Sequence, residues 1–144
     1  GNHLPEPSRE GELRAMRAAL SAAGVGPCDV DYVNAHGSGS PLGDETELAA
    51  LDELFAGCAR KPWLNATKAL TGHCLTAAGA VELAAVLLQQ KHGFIHPNPN
   101  LFDPMPTALR LAPLEAVRER SRLALSTSYG FGGFNTAILV KSPA

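Results

Sequence analysis

Residues 29–55 read "DVDYVNAHGSGSPLGDETELAALDELF". Val30, Tyr32 and Val33 are β-favouring, so "DVDYVNA" (29–35) is predicted to be a strand. "HGSGSPLG" (36–43) is a glycine-rich turn. Asp44, followed three residues later by Glu47, is a variant of the capping box and predicts a helix that opens at Asp44. Leu48, Leu51, Leu54 and Phe55 share one side of that helix, and Gly57 stops it. A strand, a turn and a helix in this order are the start of an α/β unit.

The same logic extends in both directions. Upstream, Leu13, Met16, Leu20 and Ala23 recur at helical spacing over 9–23, and Gly24 supplies the stop. Downstream, "PWLNA" (62–66) is a short strand, and a helix runs from about Thr76 to His92, ended by Gly93. Prolines then crowd residues 97–113, which predicts a long irregular connection. "RLALSTSY" (122–129) and "FNTAILVK" (134–141) are strands joined by "GFGG" as a hairpin. The order is helix, strand, helix, strand, helix, long loop, strand, strand. The first helix has no strand before it, so the parallel sheet is expected to be unfinished.

Composition narrows the function classes. The 144 residues are 45% hydrophobic, enough for a sizeable core. Only 18% are charged, below the usual quarter, which suggests a surface partly covered by something else. A net charge of −2 does not point to nucleic acid. No run reaches the roughly 20 apolar residues of a membrane-spanning helix. "GNHLPEPSREG" lacks both an initiator Met and the regions of a secretory signal, so a piece of a longer or cleaved chain is expected. Cys28, Cys58 and Cys74 are an odd, scattered set without CxxC spacing. They are expected to be free thiols of a reducing, cytoplasmic compartment.

Three stretches carry chemistry. His36 follows the carboxyl end of a strand, where open α/β sheets place ligands. Ser38 and Ser40 offer alternate hydroxyls that suit an amide-rich tether, or they cap the helix at Asp44; both readings stand. The order G-S-G-S is not the G-x-S-x-G elbow of serine hydrolases. In "ATKALTGHCLTAAGAVE" (66–82), Glu82 sits inside an apolar helix. A lone buried carboxylate there would cost several kcal/mol or protonate, so it needs a partner. Lys68, in the loop that feeds the helix, is suitable. The pair either orients His73 or simply fixes the loop. If His36 and His73 converge, both can donate to one oxygen and stabilise an enolate or oxyanion. In "SYGFGGFN" (128–135), Gly130, Gly132 and Gly133 permit tight backbone approach around Phe131, which either plugs a pocket or packs in an ordinary hairpin. His92 and His96 have H-x3-H spacing but no cysteine pair, and are expected to flank a helix end. Cys74 is read as a small apolar filler beside His73.

Together these motifs resemble the β-ketoacyl synthases, specifically their C-terminal half. "NAHGSGSPLGD" is similar to the family's N-A-H-G-T-x-T-P-x-x-D. "TKALTGHCLTAAGAVE" is similar to K-x-x-x-G-H-x-x-x-A-A-G-x-x-E, and "STSYGFGGFNTAILV" to the closing S-F-G-F-G-G-x-N hairpin. The resemblance covers nearly the whole chain. It implies one domain over 1–144 with a thiolase-like α/β fold, incomplete, with a layered, mostly parallel sheet and a C-terminal antiparallel hairpin. It implies a β-ketoacyl synthase acyltransferase that performs decarboxylative Claisen condensation in fatty-acid or polyketide synthesis.

Residue by residue, the resemblance implies that His36 and His73 assist decarboxylation of a malonyl thioester. Lys68 would position them, Glu82 would anchor Lys68, and Phe131 would gate the site. Ser38 and Ser40 would bond the phosphopantetheine arm, keeping the hydroxyls of the family's threonines but losing their methyls. Thr76 and Tyr129 stand where many members have Gly and Phe. No metal and no redox cofactor is implied. The nucleophilic cysteine is expected outside this chain, in an N-terminal half or partner subunit that also supplies the missing central strand, within a dimeric assembly served by acyl carrier protein. The alternative is a non-catalytic subunit resembling a chain-length factor; such subunits tend to lose the histidines that this chain has. A thiolase is disfavoured because the closing hairpin lacks C-x-G.

Overall fold

Strand β1 (Tyr32–Asn34) lies at the centre of a five-stranded sheet of order β3-β2-β1-β4-β5 in a computed structural model that describes residues 6–143. Its neighbours are β2 (Trp63–Asn65) and β4 (Leu123–Gly130), both parallel to it, in the registers Val33↔Leu64 and Val33↔Leu125. A two-residue strand, β3 (Arg110–Leu111), runs parallel to β2, and β5 (Phe134–Lys141) closes the other edge antiparallel to β4. Part of the N-terminal stretch read above lies outside the described residues.

Successive residues of a strand face opposite sides, and both sides here are covered. Val33 and Leu125 face helices α1 (Arg9–Ala23) and α2 (Pro41–Phe55), where Leu13, Met16, Leu51 and Phe55 complete the larger core. Tyr32 and Ala124 face the opposite layer with Val86 of α4 (Ala78–His92) and Ile95. Helix α1 begins on a Ser8 cap, whose Oγ accepts from the Gly11 N–H at 3.2 Å, and ends on left-handed Gly24.

Several elements differ from their sequence reading, and the central strand expected from outside the chain is β1 itself, because the sheet is built outward from it on both sides. The first strand spans three residues because Pro27–Asp29 forms a 3-10 turn. Helix α2 starts at Pro41, not after Asp44. Proline is preset for the first helical position, and Ser40 is the cap, accepting from the Gly43 N–H at 3.4 Å. Lys68–Thr71 is a short helix, α3, rather than loop. The proline-rich connection contains β3, in the gap between Pro106 and Pro113; the Ala112 N–H donates to the Leu64 carbonyl at 2.8 Å.

Cys28 and Cys58 are not free thiols. They form a disulfide that ties the turn before β1 to the segment after α2, with the Cα atoms 5.2 Å apart; Cys74 is free. The bridge closes a 30-residue separation, so the chain-entropy model predicts that reduction destabilises the fold by about 2–4 kcal/mol. Urea unfolding with and without reductant measures this. An unchanged midpoint would mean that the bridge is not formed in solution.

Candidate active site

The carboxyl ends of β1 and β2 bring His36, Lys68 and His73 together. The His36 and His73 ring centroids are 5.7 Å apart, edge to face. Lys68, on α3, donates from Nζ to Glu82 Oε1 and to the His36 carbonyl oxygen, and its Nζ lies 3.2 Å from His36 Nδ1. Lys68 and Glu82 are 8% and 1% exposed, so this is a buried ion pair, as Glu82 required. The other Glu82 oxygen accepts from the Ser128 hydroxyl at 3.1 Å.

Backbone hydrogen bonds set the tautomer of each histidine. The Tyr129 N–H donates to His36 Nδ1 at 3.3 Å, and the Leu75 N–H donates to His73 Nδ1 at 3.0 Å. A nitrogen that accepts carries no proton, so each neutral ring carries its proton on Nε2. Burial pushes His36 down to about 4, helped by the Lys68 ammonium and by His73. His36 is thus a neutral N–H donor at Nε2, and the bond from Leu75 turns Nε2 of His73 outward as the other donor.

Glu47 is the residue that sequence reasoning missed. As a capping-box partner it was expected to reach the start of its own helix. It reaches further: Oε1 accepts from the His36 N–H and Oε2 from the Gly37 N–H, each at 2.9 Å, and Thr127 Oγ1 donates to Oε1 at 2.7 Å. It is 3% exposed and clamps the backbone that carries His36. The spacing Asp44–Glu47 was the visible signal, but its target depended on where the turn passes. Gly37, at φ +44°, lies where a Cβ would come within 2.5 Å of Ala66 Cβ, so any larger residue would push the two histidine-bearing loops apart.

The other expected residues fall as follows. Ser40 Oγ caps α2, and Ser38 Oγ accepts from the Ser40 N–H at 3.3 Å, so both hydroxyls serve the turn. Ser38 also lines an open groove of about 400 Å³ shared by Gly37, Lys68, His73, Asn98 and Leu101. A groove of about 690 Å³ between Arg9, Arg17 and Glu53 lies away from the histidines and holds exposed charges. Phe131 is 82% exposed on the β4–β5 turn. His96 does not flank the helix end: it is buried, with Nδ1 2.8 Å from the Pro97 carbonyl and Nε2 3.1 Å from Thr67 Oγ1. Among the described residues there is no cluster of His, Cys, Asp and Glu fit for a metal ion, and no helix is long and apolar enough to cross a membrane.

Comparison with known proteins identifies the family and the fold. Residues 1–102 match the family model "Beta-ketoacyl synthase, C-terminal domain". The chain is 44% identical over 142 residues to the polyketide biosynthesis malonyl-ACP decarboxylase PksF of Bacillus subtilis, covering 99% of this chain and 34% of that protein. It is 39% identical to 3-oxoacyl-[acyl-carrier-protein] synthase 2 of Staphylococcus aureus, covering 95% and 34%. Its fold superposes on the ishigamide ketosynthase/chain length factor with a TM-score of 0.90 at 33% identity, over 96% of this chain and 34% of that one. The chain spans about a third of the length of the curated relatives it matches. It belongs to the β-ketoacyl synthase family, as a C-terminal domain whose α/β fold is that of the ketosynthases.

Proposed function

We propose that this chain supplies the decarboxylating half of a condensing enzyme that acts on malonyl groups carried by the phosphopantetheine of an acyl carrier protein. In the step proposed, the bond to the malonyl carboxylate breaks and CO₂ leaves. The electron pair moves onto the thioester carbonyl oxygen as an enolate, which accepts hydrogen bonds from Nε2–H of His36 and of His73. Lys68, braced by Glu82, positions His36. The enolate carbon then attacks an acyl thioester on a cysteine, forming the new carbon–carbon bond and releasing the cysteine thiolate. One observation carries the reading: both Nδ1 atoms are occupied by backbone donors, which leaves both Nε2–H groups for substrate.

The acylated cysteine belongs, in this reading, to an N-terminal half or a companion subunit within a dimer. Leu75, Leu87, Leu88, Phe131, Phe134 and Ile138 are exposed in this chain, the kind of apolar surface that such a complement would cover. In this reading Ser38, which lines the groove beside His73, and Ser40, next to it in the same turn, bond the phosphopantetheine arm, and Phe131 guards the nucleophile side of the site.

A second reading is decarboxylation without condensation. The 44%-identical relative is a malonyl-ACP decarboxylase, and the residues present here act on the malonyl carboxylate without needing a thiol. The two readings separate when the complete enzyme containing this chain is given malonyl and acyl carrier proteins and the products are read by intact-protein mass. A 3-ketoacyl carrier supports condensation, and an acetyl carrier alone supports the second reading. Neither product would leave a chain-length-factor role and sink both.

A further inference from the structure

Behind the His36 turn lie buried polar groups that the proposed chemistry does not use. Glu12, on α1, is 2% exposed, and its Oε2 has no hydrogen-bond partner. The Tyr129 hydroxyl is likewise buried and unpartnered, with the Thr127 hydroxyl near it but outside hydrogen-bonding geometry. Both groups feel the charge of Glu47. Helix α1 sits so close to β5 that a Cβ on Gly11 would come within 2.4 Å of Asn135 Nδ2, so Glu12 is held in place. Tyr129 connects these groups to the site: its N–H bonds His36 Nδ1, and its ring centroid is 5.4 Å from that of His36.

The two carboxyls are not equivalent. Glu47 is raised by burial, but it accepts two backbone N–H bonds and one hydroxyl bond that oppose the burial and favour its ionised form. Glu12 has an oxygen with no donor and a like charge beside it, so its ionised form would be a buried, uncompensated anion. We propose that Glu12 is a positioning residue that works as a neutral carboxylic acid: while it holds its proton, Glu47 keeps its negative charge on the N–H groups of His36 and Gly37, and when it ionises, repulsion between the two carboxylates loosens that clamp and displaces His36.

The charged and titratable surroundings fit this. On α2, the charge of Glu47 acts on both groups, and Asp44 adds a like charge to Glu47. On β4, Tyr129 is kept protonated by burial and by both glutamates. Strand β5 has no titratable side chain from Phe134 to Val140, and Lys141 is at its exposed end. Lys68 lies at His36 Nδ1 and is paired with Glu82. Burial, with Glu47 adding to it, raises Glu12 to about 8. The sign follows: Glu12 is neutral in the native protein below that pH and charged above it.

The test uses the complete enzyme containing this chain. Infrared spectra should show a protonated buried carboxyl that disappears as pH is raised through about 8 and is missing in Glu12→Gln. The ring resonances of isotopically labelled His36 should move with the same midpoint, and not in Glu12→Gln. The decarboxylation rate should fall about tenfold per pH unit beyond that midpoint, a limb that Glu12→Gln removes. The inference is overturned if no carboxyl band depends on Glu12, or if the band titrates while His36 and the alkaline limb ignore it. Should Glu12→Gln fail to fold, the wild-type midpoints decide: coincidence supports the coupling, and separation overturns it. The spectroscopic readouts need no turnover, so an inactive enzyme with the expected band and resonance shift would refute the proposed function and leave this inference standing.

Discussion

Alanine at His73 is expected to slow decarboxylation of the malonyl carrier by about 10²–10³-fold, the usual cost of one oxyanion donor. The ring is exposed and held by one backbone bond, from the Leu75 N–H, so its loss should leave the fold intact. The deficit should therefore appear in kcat, with the melting temperature unchanged. His36→Ala should be at least as slow but also less stable, because the His36 ring packs edge-on to His73 and against Tyr129. Stopped assays of CO₂ release from each variant measure both. Undiminished release in the two variants would remove the histidines from the mechanism. Acid should act through the same ring. Native His36 stays neutral down to about 4, whereas an unfolded chain protonates near 6.5. The stability gained from its neutral state is present above pH 6.5 and is lost as pH falls toward 4.

Breaking the Lys68–Glu82 pair is expected to cost about 3–5 kcal/mol, because either single replacement strands a buried charge. Glu82→Ala leaves the ammonium with only the His36 carbonyl and ring nitrogen, and Lys68→Met leaves the carboxylate with only the Ser128 hydroxyl. The double replacement Lys68→Met with Glu82→Leu removes both charges and fills the space with apolar atoms. It should recover much of the stability, since a well-packed hydrophobic pair often matches a buried ion pair. It should not recover decarboxylation, because His36 loses the ammonium against Nδ1. Urea unfolding and CO₂ release on the four proteins separate the two roles. A double variant with wild-type turnover would mean that the pair is purely structural.

The sequence pattern disclosed the ion pair because the rule behind it is local and strict: a carboxylate in an apolar helix must find a cation, and Lys68 was the suitable one nearby. The hairpin at 122–141 and the helix ends at Gly24 and Gly93 were readable for the same reason, as glycine and alternation act within a few residues. Glu47 shows the opposite case. Its spacing from Asp44 marked it as a cap, yet Pro41 extended the helix upstream and aimed the carboxylate at the His36 turn instead. The Cys28–Cys58 bridge was hidden because thirty residues separate partners that only the packing of α2 beside β1 brings to 5.2 Å.

The linear order of residues by itself determined the α/β class, the family motifs and the identities of His36, Lys68, His73 and Glu82, since periodicity, turn chemistry and the cost of a buried charge are properties of short segments. Only the tertiary structure decided that the two imidazoles stand 5.7 Å apart with Nε2 turned outward, that Glu47 clamps the His36–Gly37 backbone, and that Glu12 is buried. Those facts depend on parallel pairing of β1 with β2 and β4. Such pairing joins residues 31 and 92 positions apart through the sheet, and no local preference of the chain encodes those distances.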